Sequence, residues 1–269
     1  METNKKEKNI GVFDSGIGGV TVLKEIIKIL SNENYIYFSD SKNNPYGDKK
    51  KEEIINRCDE LLKFMLENNC KSIVIACNTA SSIAANILRK KYNNIPIIAI
   101  EPAYKMVYDY SYDNKTLVMA TKGTIESERF NLLYHKYDNH KTTLLECVGL
   151  ADLIEEGNER KIKKYLEENI GKYRGKVKNV VLGCTHYPLV QKEIGQVLGN
   201  NIEFFNGASR LAVHLKDVLE KENLLNNYIE NKDIEKNNLK TNIKFIDSSL
   251  NEEERFKKEK RFFVFLEEK

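Results

Sequence analysis

No stretch of this 269-residue chain approaches the ~18 consecutive apolar residues of a membrane span, which excludes membrane channels and carriers. Prolines number only four, and no Gly/Ser/Pro-rich linker divides the sequence, so any domain boundary has to be inferred from repeated motifs. Neither sign of charge predominates: 43 Lys and Arg against 40 Asp and Glu leave +3, too balanced for an obligate nucleic-acid binder. Neither G-x-G-x-x-G nor G-x-x-x-x-G-K-[ST] occurs, so no nucleotide-binding signature is present. The opening METNKKEKNI lacks the apolar core of ~7–15 residues that a signal peptide needs, and residence in the cytoplasm is the expectation. Cysteine is scarce and odd in number, at five, with no C-x-x-C; in a reducing compartment such thiols stay free unless they ligate metal or do chemistry. What remains is 41% hydrophobic and 31% charged, the composition of a globular protein with one large or two modest domains.

A single pattern recurs along the chain. Asn9-Ile10-Gly11-Val12-Phe13 reads as a short buried strand, followed by the loop Asp14-Ser15-Gly16-Ile17-Gly18-Gly19 and a helix over 20–30. Tyr35-Ile36-Tyr37-Phe38 runs into Asp40, and Ile73-Val74-Ile75-Ala76 into Cys77-Asn78-Thr79 and a helix over 80–91. Ile97-Ile98-Ala99-Ile100, Thr116-Leu117-Val118-Met119-Ala120 and the run 177–182 behave alike, the last ending at Gly183-Cys184-Thr185-His186-Tyr187-Pro188. Apolar runs without alternation suit parallel strands covered on both faces, and their alternation with helices predicts an α/β fold. Ile243-Lys244-Phe245-Ile246 reads as a closing strand, and Phe256, Phe263 and Leu266 as the apolar stripe of a terminal helix. The Asn- and Lys-rich stretch 221–240 reads as a solvated loop or variable helix.

Cys77 and Cys184 take equivalent places, each directly after an apolar strand and before a helix start, at the edge where α/β sheets bind ligands. Amides at such a helix start stabilise anions, a thiolate included. The two are far apart in sequence, unlike a redox pair, and only His186 lies beside either, too little for a structural zinc site. Two single-proton groups on opposite faces of one carbon are what inversion of a stereocentre needs, since one removes the proton and the other supplies it from behind. Asp14, Asp40 and His186 lie at the same expected edge and are candidate helpers, although an Asp at a strand–helix junction also serves simply as an N-cap. A carboxylate opening the glycine-rich loop repels a pyrophosphate and suits a substrate ammonium, which points to an amino acid. Cys58, Cys70 and Cys147, in ordinary helical or loop context, read as buried small hydrophobes, and His135, His140 and His214 as structural.

Phe13 to Gly19, Asp40 with Pro45-Tyr46-Gly47, Ala76-Cys77-Asn78-Thr79-Ala80 and Gly183 to Pro188, together with Glu101-Pro102 and Thr121-Lys122-Gly123-Thr124, resemble in order the bacterial glutamate racemases of the aspartate/glutamate racemase superfamily. The resemblance implies two similar α/β domains with mainly parallel sheets flanked by helices, 1–98 with 209–269 forming the first and 99–208 the second, and an active site in the cleft between them. It implies a cofactor-independent isomerase, with no metal, that interconverts L- and D-glutamate for peptidoglycan synthesis and so serves cell-wall biogenesis and cell shape. By motif, Cys77 and Cys184 become the acid/base thiols, assisted by Asp14 and His186, with Asp40 and Glu155 as further site carboxylates. Asp14, Ser15, Pro45, Tyr46, Gly47, Asn78, Thr79, Thr121, Thr185 and His186 would hold the substrate. Neither membrane nor nucleic acid is an expected partner, and a homodimer stays open. Two departures stand out. The segment 147–156 has no prolines where the family commonly has them, which leaves the choice between Glu155 and Glu156 open; and Ser41-Lys42-Asn43 replaces the usual Thr-x-Arg, so an arginine contact is missing there. The alternatives are a racemase for aspartate or another amino acid, and a catalytically silent amino-acid-binding relative; degraded thiols would mark the latter, and both are intact.

Overall fold

The computed structural model describes residues 5–226 and 242–268. Among these residues nine strands build two wholly parallel sheets. The first has the order β4-β3-β1-β2-β9, where β1 is Asn9–Asp14, β2 Tyr35–Ser39, β3 Cys70–Ile75, β4 Ile97–Ala99 and β9 Ile243–Asp247. The second has the order β6-β5-β7-β8, where β5 is Thr116–Ala120, β6 Thr142–Glu146, β7 Asn179–Gly183 and β8 Glu203–Phe205. Central strands β2, β3, β5 and β7 are buried at every position, as continuous apolar runs require when helices cover both faces. The first sheet thus draws on both ends of the described chain and the second on its middle. β4 ends at Ala99, so the expected cut after residue 98 falls inside a strand of the first sheet, and the change of sheet comes later.

Helices Val20–Ile29, Ala208–Lys221 and Glu252–Glu267 close one apolar core against the first sheet, and Lys51–Glu67 and Asn78–Lys91 close the other. In Val20–Ile29 the side chains of Val20, Leu23, Ile26 and Ile27 recur at three- and four-residue spacing and face inward. Of the stripe read for the terminal helix, Leu266 is buried and Phe263 packs at the margin of the core, but Phe262 rather than Phe256 completes it. Phe262 and Leu266 are buried, Phe262 packing on Tyr37 and Phe245 at ring-centroid distances of 4.5 and 4.8 Å, whereas Phe256 lies 68% exposed. Cys70 opens β3 and is buried; it lies in neither helix nor loop. Of the polar stretch 221–240, Lys221 ends a helix, and 227–240 lie outside the described residues.

Parallel order puts the carboxyl ends of each sheet on one edge. β1 ends at Asp14, β3 is followed by Ala76-Cys77, β5 by Thr121 and β7 by Cys184, so the loops carrying the candidate residues come from the central strands of both sheets.

Candidate active site

Asp14 is fully buried and its Oδ2 accepts the amides of Gly19 at 3.0 Å and Gly16 at 3.4 Å, which folds the loop back before helix Val20–Ile29 begins. The same carboxylate reaches the other sheet, where Thr185 Oγ1 donates to Oδ1 at 3.2 Å. Burial pushes the Asp14 carboxyl above its ordinary value, with His186 pulling it down and Glu155 pushing it up. The loop glycines serve close approach: a Cβ on Gly16 would sit 1.9 Å from Glu155 Oε1, and one on Gly18 2.5 Å from His186 Nδ1. The loop is therefore shaped around two side chains of the opposite lobe.

Cys77 occupies the cap position of helix Asn78–Lys91, 5% exposed, with its thiol 3.8 Å from Ser15 Oγ. Burial drives this thiol well above its ordinary value, Asp14 drives it further, and the Ala80 amide only partly opposes them. In the free site burial and Asp14 thus both act against the Cys77 thiolate. Next along the helix Asn78 and Thr79 are buried, and Thr79 Oγ1 meets Thr121 Oγ1 at 2.8 Å. Thr121 also caps helix Lys122–Ile125 by accepting the Thr124 amide. Gly47 packs against Thr121, where an added Cβ would lie 3.0 Å from the threonine Cβ.

Cys184 is 7% exposed, with Sγ 3.7 Å from His186 Nδ1. The other ring nitrogen, Nε2, donates to Glu155 Oε1 at 2.6 Å, and that oxygen also accepts the Ile17 amide at 2.6 Å. Burial opposes the imidazolium, but Cys184 and Glu155 outweigh it and raise His186 well above its ordinary pKa. Burial likewise opposes the Glu155 carboxylate, yet His186 and the Ile17 amide hold it below the usual range. His186 thus bridges Cys184 and Glu155 through its two ring nitrogens, and both partners favour its imidazolium form. Glu155 occupies this place, while Glu156 pairs with Lys161 at the surface.

Asp40 stands apart from that constellation. Its Oδ1 and Oδ2 take Arg57 Nη2 at 2.7 Å and Nε at 2.8 Å, Tyr46 Oη donates to Oδ2 at 2.6 Å, and Asn43 donates to Oδ1 at 3.0 Å. Burial raises its carboxyl, but these partners prevail and hold it below the ordinary value. Asp40 accordingly braces the Pro45-Tyr46-Gly47 loop, and the Tyr46 hydroxyl is directed at it. The guanidinium that meets Asp40 is that of Arg57, on helix Lys51–Glu67. Sequence reasoning also missed Asn44 Nδ2, which donates to Asp152 Oδ1 at 3.0 Å across the two lobes. The available signal was spacing, since Asp152 precedes Glu155 by three residues on helix Leu150–Glu156 and so shares its face.

The model of the Asp/Glu/hydantoin racemase family matches residues 10–214. A glutamate racemase of Clostridium botulinum (strain Alaska E43 / Type E3) is 42% identical over 227 residues, 83% of this chain and 88% of the relative. One of Clostridium novyi (strain NT) is 39% identical over 261 residues, 96% and 97% of the two chains. Among solved structures, glutamate racemase of Francisella tularensis in complex with D-glutamate superposes with a TM-score of 0.78 at 29% identity, covering 98% of this chain and 95% of that one. The Escherichia coli glutamate racemase in complex with L-glutamate and the activator UDP-MurNAc-ala gives a TM-score of 0.79 at 26% identity over 95% of each. With sheets, strand-end thiols and histidine–carboxylate pair all in this arrangement, the chain belongs to the glutamate racemases of the Asp/Glu/hydantoin racemase family.

Proposed function

We propose that the protein interconverts L- and D-glutamate by proton transfer at Cα between two thiols, with no cofactor. The observation that carries this reading is the pair Cys77 and Cys184, brought from two separate sheets to one buried edge close enough to influence each other electrostatically. For one enantiomer the Cys184 thiolate removes the Cα proton, stabilised by the imidazolium at Nδ1, while the Cys77 thiol gives its proton to the opposite face and ends as thiolate. For the other enantiomer each thiol takes the reverse role. Asp14, Ser15, Asn78, Thr79, Thr121, Thr185, Pro45 and Gly47 would hold the ammonium and carboxylate groups so that only hydrogen changes sides. The Francisella and Escherichia relatives, with D- and L-glutamate bound respectively, support the choice of substrate.

In this reading the two lobes are 1–98 with 209–269 and 99–208, adjusted so that all of β4 stays in the first. D-glutamate made here would supply peptidoglycan synthesis in the cytoplasm; among the described residues no helix is long and apolar enough to cross a membrane. A homodimeric state is a separate part of the reading, decided by light scattering. The chemistry is tested by incubating EDTA-dialysed protein with each enantiomer in heavy water. Both should racemise with deuterium appearing at Cα, as followed by circular dichroism and mass. Activity that returned only on adding a metal or pyridoxal phosphate would overturn the mechanism.

A further inference from the structure

Helix Leu150–Glu156 is only seven residues long, and its last carbonyls have no further turn of helix to receive them. Gly157, at φ 72°, turns the chain and returns its amide to Leu153 and Ile154. The carbonyls of Ile154 and Glu155 also meet a side chain from the far end of the sequence: Arg261 Nη2 donates to Ile154 O at 2.7 Å and Nη1 donates to Glu155 O. A cation at a helix C-terminus is favoured by the helix dipole and by the orphan carbonyls together. Gly157 makes the approach possible, because a Cβ there would lie 3.1 Å from Arg261 Cζ.

The far side of this contact is fixed as well. Arg261 sits over the Phe265 ring, one turn on, at 5.7 Å, and its neighbour Phe262 is fully buried against Tyr37. Tyr37 Oη in turn donates to Gly16 O at 2.7 Å, so the terminal helix grips the Asp14 loop and the Glu155 segment at once. Those are the two pieces that Glu155 joins, through the Ile17 amide and His186. The Glu155 carboxylate is held through Oε1 alone, its buried Oε2 having no hydrogen-bond partner among the described residues. Its aim at His186 therefore depends on where its backbone is pinned.

We propose that Arg261 is a positioning residue for racemisation: by capping the carbonyls of Ile154 and Glu155 from the terminal helix, it aims the Glu155 carboxylate at His186. Arg261 touches neither thiol; it acts through Glu155 and His186 on Cys184. Next to it lies a cavity of about 730 Å³ lined by Glu155, Glu156, Lys257, Lys258, Arg261 and Phe265 among others, wide enough to admit a small cation when the arginine side chain is removed. The proposal rests on the racemase reading, so its test has one arm that does not need turnover.

That arm is NMR titration of the imidazoles, of which there are four, with a His186→Gln sample identifying the signal. The ionisable groups facing His186 are Cys184, Glu155, Asp14 and Asp152, and of these only Glu155 is held by Arg261. In Arg261→Gln the His186 titration should move down by about one unit or more, since its carboxylate partner is loosened. In the kinetic arm, kcat should fall about tenfold with KM within about twofold, and the alkaline limb of the pH profile should shift to lower pH. Arg261→Lys should restore part of both effects, and millimolar guanidinium should partly rescue Arg261→Ala. A lowered melting temperature with unmoved His186 titration, no shift of the pH profile and no guanidinium rescue would show a purely structural contact and overturn the proposal, as would wild-type titration and kcat together. A wild-type protein that fails to racemise glutamate sinks the functional reading instead, while the titration arm still decides whether Arg261 controls His186.

Discussion

Cys77 and Cys184 occupy matching strand ends but unequal surroundings, one beside a carboxylate and a serine hydroxyl, the other beside an imidazolium. The thiols are therefore not interchangeable. Replacing either by Ala or Ser should reduce racemisation by at least about 10³-fold, the scale of losing a general acid or base. Each Ser variant should retain one-sided elimination from a glutamate analogue carrying a leaving group, processing one enantiomer and sparing the other; equal loss for both enantiomers in both variants counts against opposite faces. Ala at Cys58, Cys70 or Cys147 should leave turnover near wild type, because all three thiols are buried among apolar side chains; Cys147 is the sharpest of these tests, since it follows β6 at the same sheet edge as Cys184. Asp14 yields a prediction of opposite sign for stability and activity. Its folded pKa is raised by burial, so its contribution to folding is full below the unfolded value of about 3.9 and is lost as pH rises through the folded value. Asp14→Asn should accordingly raise Tm by about 2–4 °C at neutral pH, an advantage that shrinks on acidification, while severely reducing activity. Calorimetry at pH 7.5 and pH 4 checks the sign.

At the level of elements, the Asp40–Arg57 brace joins a loop and a helix beside the first sheet by pairing a buried carboxylate with a partly exposed guanidinium. Arg57→Ala leaves that carboxylate without its cation and should cost about 3 kcal/mol in urea unfolding. Here the folded pKa is depressed, so the contribution is present above about pH 3.9 and fades as pH falls through the folded value. The difference between wild type and Arg57→Ala should thus narrow at the acid end. The brace also illustrates where reading a sequence stops. A carboxylate after a strand looks the same whether it faces a substrate ammonium or a guanidinium from the next helix, and only packing distinguishes Asp40 from Asp14. Strands β1, β2, β3, β5 and β7 were legible because burial on both faces gives each an unalternating run of mostly apolar residues, as in Ile73-Val74-Ile75 of β3. By contrast β6, Thr-Thr-Leu-Leu-Glu at a sheet edge, is half exposed, and β8 spans three residues; neither supplies enough period to read. The terminal helix was legible as a helix but not in its rotation, since Phe262 was chosen over Phe256 by Tyr37 and Phe245, aromatic rings remote in sequence. Glu155 was separable from Glu156 only once the opposite lobe was in place.

Across the whole molecule the segments that carry the two sheets are tied at the site through Thr185 to Asp14, Ile17 to Glu155, Thr79 to Thr121 and Asn44 to Asp152, and beyond it through Arg261 to Ile154 and Glu155 and Arg210 to Asp109. Both thiols are almost wholly covered, and the expectation is that glutamate enters as these links give way. Asn44→Ala removes a link that involves neither thiol and should leave the closed state less favoured: KM should rise a few-fold with kcat changed little, and hydrogen exchange at helix Leu150–Glu156 should quicken. Unchanged exchange and KM would show that this link does not hold the lobes. The sheet order has a consequence for the nascent chain. The second sheet is complete at Phe205, whereas the first must wait for β9, Ile243–Asp247, to pair with β2. During synthesis one lobe can fold while the other still presents an open β2 edge, a template for unwanted pairing with neighbouring chains. The time the ribosome takes to travel from Phe205 to Asp247 is thus the interval in which this protein most needs a chaperone.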